Sequence, residues 1–277
     1  MDKINQMKEK LNSLIFLSLQ IRYSQQHPIR VINACKSLIG IDPENPPYVM
    51  LKWLESFIIN YEPDFEAPKI TKMDKMPEVI TFNQLNKLID SNNLDEAYIY
   101  LEYLLQSAAP LSISEYLLEL SINKSYSNFL YCWSAYRIIQ SLGEKKGYPI
   151  LFHSVSSLIE NKVYIKEIKI NEYEIFCHQF HIYRTEMVRK NKIFVKFEEL
   201  LKTLSTSSIK TVHNELPAIL INMVNDRGIK GIRKYICSLE VEQISIELIF
   251  KLAALRSLIY FSDISLNNII TGDFIKE

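Results

Sequence analysis

The stretch FNQLNKLIDSNNLDEAYIYLEYLL, residues 82–105, carries the clearest signal for the fold. Apolar residues return at intervals of three or four, as at Leu101, Leu104 and Leu105, and this spacing places them on one face of an α-helix. The polar run from Asp90 to Asn93 interrupts the pattern, which then resumes. The stretch therefore predicts two helices joined by a short turn.

The same spacing runs through most of the chain, as at Leu11, Leu14, Leu17 and Ile21. A composition of 48% hydrophobic and 23% charged residues is typical of a folded globular protein. Six glycines in 277 residues are too few for a turn-rich β fold or for glycine-dependent phosphate loops. We therefore expect an all-α protein, a helical bundle or a short α-solenoid built from about three diverged helical units.

An internal repeat underlies the expectation of several units. Residues 13–60 align without a gap with residues 114–161, at an offset of 101. The identical pairs are Ser13/Ser114, Leu17/Leu118, Leu19/Leu120, Ile21/Ile122, Ser24/Ser125, Ala34/Ala135, Ser56/Ser157, Ile58/Ile159 and Asn60/Asn161. Chance agreement is the alternative, because any two amphipathic helices can align on their apolar faces.

A second alignment pairs residues 82–105 with residues 197–220 and continues at an offset of 119. We interpret the chain as four segments: a partial N-terminal unit (1–61), a linker containing prolines (62–77), a central unit (78–165) and a C-terminal unit (166–277). In general pattern the hairpin resembles helix-turn-helix repeats of the tetratricopeptide kind, but their period of about 34 residues and their signature are absent. No family is assigned on this basis.

The cysteines and the apolar segments bear on the compartment. The four cysteines lie far apart and form no CxxC pair: Cys35, Cys132, Cys177 and Cys237. Their apolar surroundings predict buried, reduced thiols. Asp2 and Glu9 interrupt the first segment, which makes a signal peptide a poor interpretation, and three charges in the apolar stretch 246–261 disfavour a transmembrane helix. We expect a cytoplasmic protein with no membrane association.

Histidines are the main candidates for metal chemistry. In a helix, Glu174, His178 and His181 would share one face, a spacing that can place two imidazoles and a carboxylate on one metal ion. His27 and His153 are the other candidate ligands, and iron, manganese or zinc would suit such a set. The alternative for all five residues is ordinary placement on amphipathic helices or ordinary divergence between repeat copies.

The densest basic cluster lies at residues 227–234. Arg227, Lys230 and Arg233 follow one another at intervals of three, and Gly228 and Gly231 lie between them. Backbone amides and three cations could hold a phosphate or a carboxylate, so these residues form a candidate anion or cofactor site. A solvated helix start is the alternative.

The sequence supports two hypotheses of function. Lys plus Arg and Asp plus Glu both number 32, so the formal net charge is zero and no overall positive field attracts nucleic acid. The leading hypothesis is a scaffold or adaptor that binds a protein partner, or an apolar ligand, in a groove between helices. The alternative is an all-α, oxidase-like enzyme that depends on a metal or a cofactor held by histidines and carboxylates between helices. Both hypotheses leave the oligomeric state open.

Overall fold

The computed structural model describes residues 3–24, 27–70, 76–122, 124, 126–160 and 218–261. Within these residues the regular structure is entirely helical, with no strand, which confirms the all-α class and fits a helical bundle or a short solenoid. The division into three units stays a prediction. None of the described helices combines the length and the apolar character that crossing a membrane requires.

Twelve α-helices and one short 3-10 turn (Val241–Gln243) make up the described structure. The helices are α1 (Lys3–Ser18), α2 (Ile29–Ile39), α3 (Tyr48–Ile59), α4 (Phe82–Asp90), α5 (Leu94–Ser107), α6 (Pro110–Ile122), α7 (Tyr126–Leu142), α8 (Glu144–Gly147), α9 (Ile150–Glu160), α10 (Ala218–Arg227), α11 (Ile229–Cys237) and α12 (Ile246–Phe261).

The described residues belong to two compact units. The first unit lies within Lys8–Asn33 and Ile58–Glu167, and it contains α4 to α9. The second unit lies within Met1–Met7, Ala34–Phe57 and Ile168–Glu277, and it contains α10 to α12.

Helix α9 forms the centre of the first unit. It packs against α4, α5, α6 and α7, and every residue from Ile150 to Ile159 is buried. Two of its serines fit this apolar setting because they hydrogen-bond within their own helix: Ser154 Oγ donates to the Ile150 carbonyl at 3.0 Å, and Ser157 Oγ donates to the Ser154 carbonyl at 2.8 Å. The interior of the unit is thus closed around one helix.

The α4–α5 hairpin confirms the turn predicted from the sequence. The side chain of Thr81 accepts from the Gln84 amide at 3.3 Å and caps α4, and the side chain of Asn93 accepts from the Glu96 amide at 3.3 Å and caps α5. Between the helices, Asn92 has a φ of 58°, a left-handed conformation that asparagine tolerates better than most residues. Local hydrogen bonds therefore explain where both helices begin.

Helix bounds follow the offset of 101 closely in two places. The offset moves Ile29–Ile39 to 130–140, which lies inside α7, and moves Tyr48–Ile59 to 149–160, which is α9 with one additional residue. This agreement is what a repeated unit requires. Descent of the two segments from a duplication stays a prediction.

Residues 62–70, which the sequence analysis assigns to a linker, form a strap along the first unit. We use the name strap for these nine residues, which have no regular secondary structure. The backbone amides of Asp64 and Phe65 both donate to the Gln20 carbonyl, at 3.0 and 2.9 Å. Farther along, the Tyr148 hydroxyl donates to the Pro68 carbonyl at 3.2 Å. The strap is therefore held at two points.

Candidate functional site

The first unit brings His27 and His153 together. Their ring centroids lie 5.0 Å apart with a 45° angle between the planes, and both side chains are buried. His153 lies in α9, and His27 lies just before α2. The candidate metal ligands are four histidines and one glutamate. Of these five residues, only His27 and His153 lie within the described residues, and they are adjacent.

His27 has hydrogen bonds at both ring nitrogens. Nε2 lies 3.0 Å from the Ile21 carbonyl, which can only accept, so Nε2 carries the proton. Nδ1 then accepts from the Ile29 amide at 3.3 Å, near the start of α2, where the helix leaves backbone amides without partners. The Tyr131 hydroxyl lies 3.4 Å from the same nitrogen. His27 therefore helps to cap α2.

His153 has a hydrogen bond at one ring nitrogen. Nε2 lies 3.0 Å from the Leu19 carbonyl and donates to it, which fixes the same tautomer as in His27. Nδ1 is buried and has no hydrogen-bond partner among the described residues. His153 thus presents a lone pair that can accept a hydrogen bond or bind a metal ion.

Aromatic rings surround the two imidazoles. Tyr131 meets His27 edge to face, with centroids 5.4 Å apart, and Tyr23 meets Tyr131 in the same way at 4.8 Å. On the other side, the Phe65 ring from the strap lies 4.3 Å from the His153 ring. The pair is thus enclosed by aromatic side chains from the strap, from α7 and from the segment before α2.

Burial keeps both imidazoles neutral. Burial, together with a smaller effect of the neighbouring His153, lowers the pKa of His27 to about 3, because desolvation and a second positive charge both disfavour the charged ring. Burial also lowers the pKa of His153 to about 4, against a smaller opposing effect of the Leu19 carbonyl and the Asp64 charge. At neutral pH neither ring serves as a cation, and a neutral ring is suited to accepting hydrogen bonds or to binding a metal.

Three consecutive carbonyls after α1 organise the site. The Leu19 carbonyl accepts from His153 and the Ile21 carbonyl accepts from His27. The Gln20 carbonyl between them accepts from the two amides of the strap. This one turn therefore joins α9, the start of α2 and the strap. Each histidine contributes one of these links through a hydrogen bond from Nε2.

The described residues contain no group of three or more His, Cys, Asp or Glu side chains placed to hold a metal ion. Glu174, His178 and His181 lie outside the described residues, so their expected grouping stays a prediction. Two imidazoles alone are fewer than the three protein ligands that catalytic zinc sites commonly use.

The basic cluster is divided between solvent and an internal partner. Arg227 and Lys230 are exposed in the second unit. Arg233 is half-buried, donates from Nε to the Asn45 carbonyl at 2.6 Å, and lies 3.3 Å from a carboxylate oxygen of Asp42. The three cations are therefore not equivalent, because the charge of Arg233 is neutralised within the unit.

Cysteine nucleophiles find no support in the described interior. Cys35 and Cys132 are free and buried, as expected, whereas Cys237 is exposed and Cys177 lies outside the described residues. Burial raises the pKa of Cys132 to about 12 and raises that of Cys35 further. Both buried thiols are therefore protonated and unreactive at neutral pH.

Sequence reasoning found the two histidines but missed the residues around them. Phe65 lies in a stretch assigned to a linker, and Tyr23 is not singled out by any pattern. Tyr131 contacts His27 across a separation of 104 residues, and no local pattern indicates such a contact. In the repeat alignment at an offset of 101, His27 stands opposite Asn128 and His153 stands opposite Lys52, and this difference between copies is the sequence signal for the two histidines.

The fold and the site together define an all-helical protein whose first unit contains a buried, neutral histidine pair. A scan against family models matches no family, and comparisons with the curated proteins and with the solved structures find no similar protein.

Proposed function

We propose that the chain is a helical scaffold or adaptor that binds a protein partner through a groove between helices. The observation that carries the proposal is the use of polar side chains inside the first unit. Both imidazoles donate to backbone carbonyls, and Ser154 and Ser157 donate within α9. Because these donors are already hydrogen-bonded inside the unit, we assign function to the outer surface of the helices.

Helix α5 offers the outer face that we propose as one wall of this groove. Ile99 is 47% exposed, on the side of α5 opposite the buried residues Ala97, Leu101 and Leu104. The helix carries Asp95, Glu96 and Glu102 and no basic residue. Burial raises the pKa of Glu102, so burying this carboxylate further would favour a cationic neighbour. A partner segment with one apolar side chain and flanking lysines or arginines would complement this face.

We propose that the protein acts in the cytoplasm. Cys35 and Cys132 are free thiols in the interior, an arrangement that suits a reducing compartment.

A paired substitution tests the surface of α5. The Ile99→Lys variant removes the apolar anchor and introduces a charge that repels a cationic partner, whereas Val79→Lys makes the same change at a residue 72% exposed outside the helices. Crosslinking and quantitative capture from cell extract identify the partner, and its binding is then measured with purified proteins. The wild type and Val79→Lys should bind this partner equally well. Ile99→Lys should weaken its Kd by about tenfold or more. Equal binding by all three proteins would contradict the proposal.

A metal-dependent enzyme is the second candidate function. The observation that favours it is the close pairing of two neutral imidazoles, one with an unpartnered Nδ1. Elemental analysis of protein purified without a histidine tag separates the two candidates. Iron, manganese or zinc at about one per chain, lost in the His153→Gln variant, would favour the enzyme. Metal-free protein with an intact fold would remove this candidate.

A further inference from the structure

Some of the contacts that attach the strap to the rest of the first unit lie close to solvent. Arg22 and Asp64 form its ion pair, with Nε and Oδ2 3.8 Å apart and side chains 72% and 55% exposed. Exposed pairs of this kind contribute little to stability. The carboxylate of Asp64 also accepts from the Arg22 amide at 2.7 Å, and this contact fixes the strap beside the turn after α1.

Phe65 is the residue of the strap that reaches the histidines. Its ring centroid lies 4.3 Å from that of His153, and the backbone amide of Phe65 itself donates to the Gln20 carbonyl. Phe65 is half-buried, while His153 beneath it is fully buried. A partly exposed side chain is therefore in direct contact with the buried imidazole.

The two histidines differ in the hydrogen bonds that their ring nitrogens retain once the strap is displaced. His27 keeps both ring nitrogens hydrogen-bonded, to the Ile21 carbonyl and from the Ile29 amide, and it keeps its contact with Tyr131. His153 keeps its bond to Leu19 through Nε2 and has an unpartnered acceptor at Nδ1. Displacement of Phe65 would therefore uncover part of the His153 ring, whose Nδ1 has no hydrogen-bond partner among the described residues, and leave His27 in place.

We infer that the strap is a lid that opens locally and controls access to Nδ1 of His153. Segments without regular secondary structure and with few buried contacts open at lower free energy than the helices around them. Opening requires only the separation of Phe65 and Asp64 from the turn, and the helices of the first unit stay packed. The lid then admits a small solute that donates a hydrogen bond to, or reacts with, the neutral imidazole. This inference holds whichever of the proposed functions is correct.

Chemical modification by diethyl pyrocarbonate reports on the opening directly. The lone pair of a neutral imidazole nitrogen attacks the carbonyl carbon of the reagent, ethyl carbonate leaves, and the ring loses a proton. A buried histidine reacts only from an opened state, so its rate follows the population of that state. Peptide mass spectrometry measures the rates at His153 and His27 separately in the same sample.

We expect His153 to react faster than His27 in the native wild-type protein. Asp64→Ala should raise the rate at His153 by about tenfold and leave the rate at His27 unchanged, because a lost hydrogen bond to a charged group shifts an equilibrium by this order. Phe65→Ala should raise it further. Glu66→Ala is the matched control, since it removes an exposed carboxylate from the same strap, and its rates should equal those of the wild type.

Two results would overturn the inference. Equal rates at His153 and His27, changing together in every variant, would mean that both react only after global unfolding. An identical effect of Asp64→Ala and Glu66→Ala would mean that the contact with Arg22 does not hold the strap closed. Denaturant unfolding of the same variants supplies the global free energy for comparison, and the Asp64 and Glu66 pair decides the matter even where Phe65→Ala fails to fold.

Discussion

His27 and His153 donate to carbonyls two residues apart, those of Ile21 and Leu19, while their rings lie 5.0 Å from one another. The turn that follows α1 thereby receives a hydrogen bond from the residue before α2 and another from the middle of α9. A neutral imidazole with its proton on Nε2 serves this purpose because it offers a donor on a rigid ring without a buried charge.

The hydrogen bond from His153 to Leu19 contributes measurably to stability. His153→Phe keeps a ring of similar shape but leaves the Leu19 carbonyl without this donor, and we expect a loss of about 1–3 kcal/mol in the free energy of unfolding. His153→Gln is the control, because its amide nitrogen can still donate, and its loss should be smaller. Urea unfolding of the three proteins measures the difference, and equal stability of the wild type and His153→Phe would contradict the account.

The depressed pKa values predict acid sensitivity. Both histidines have a pKa near 6.5 when unfolded and about 3 and 4 when folded, so the unfolded chain binds more protons at intermediate pH. Their contribution to stability is therefore complete above pH 6.5 and declines as the pH falls toward the folded pKa values. Each histidine adds a slope of about 1.4 kcal/mol per pH unit in this range.

Comparison with a variant isolates this effect from the carboxylates. The free energy of unfolding of His153→Gln, measured by urea between about pH 6 and pH 4.5, should fall less steeply than that of the wild type. Parallel curves would show that His153 is already charged or exposed in the folded protein.

Tyr98 links α5 to α9 through a second internal hydrogen bond. Its hydroxyl lies 2.6 Å from the buried Ser156 Oγ, and its ring meets Phe152 edge to face at 5.1 Å. Tyr98→Phe removes the hydroxyl and should lower the unfolding free energy by about 1 kcal/mol. Tyr48→Phe makes the same change at an exposed tyrosine and should have no effect. A loss of equal size in both variants would argue against the contact.

Arg233 should differ from Lys230 although both belong to the basic cluster. Arg233→Gln removes the ion pair with Asp42 in a half-buried setting and should reduce the unfolding free energy by about 1 kcal/mol. Lys230→Gln, on the exposed side of the same helix, should leave it within about 0.5 kcal/mol of the wild type. Thermal or urea unfolding compares them, and the opposite order would refute this assignment.

Much of the helical structure could be predicted because helices leave a local signal. The apolar spacing around Leu101 and Leu104 and the polar turn from Asp90 to Asn93 place the α4–α5 hairpin, since both features depend on neighbours within a few residues. The offset of 101 likewise places α9 by analogy with α3.

The site could be predicted only in part, because its contacts join positions that are distant in the chain. His27 and His153 can be selected as chemically unusual residues, but no spacing indicates that one turn after α1 binds both. Phe65 gives no periodic signal, since an extended strap packs through single side chains and isolated amides. Prolines at 63 and 68 exclude a helix there, yet they say nothing about the surface against which the strap lies.

The nitrogen-15 spectrum of the two imidazoles tests most directly whether both histidines are neutral and donate from Nε2 to the turn after α1. Signals assigned with the single variants His27→Gln and His153→Gln should show both rings neutral and protonated on Nε2 from pH 7 down to about pH 5, because both folded pKa values lie lower. Equimolar Zn²⁺ should leave them unchanged. A cationic ring protonated on both nitrogens at pH 6, a neutral ring with its proton on Nδ1, or a shift on addition of Zn²⁺ would contradict the account.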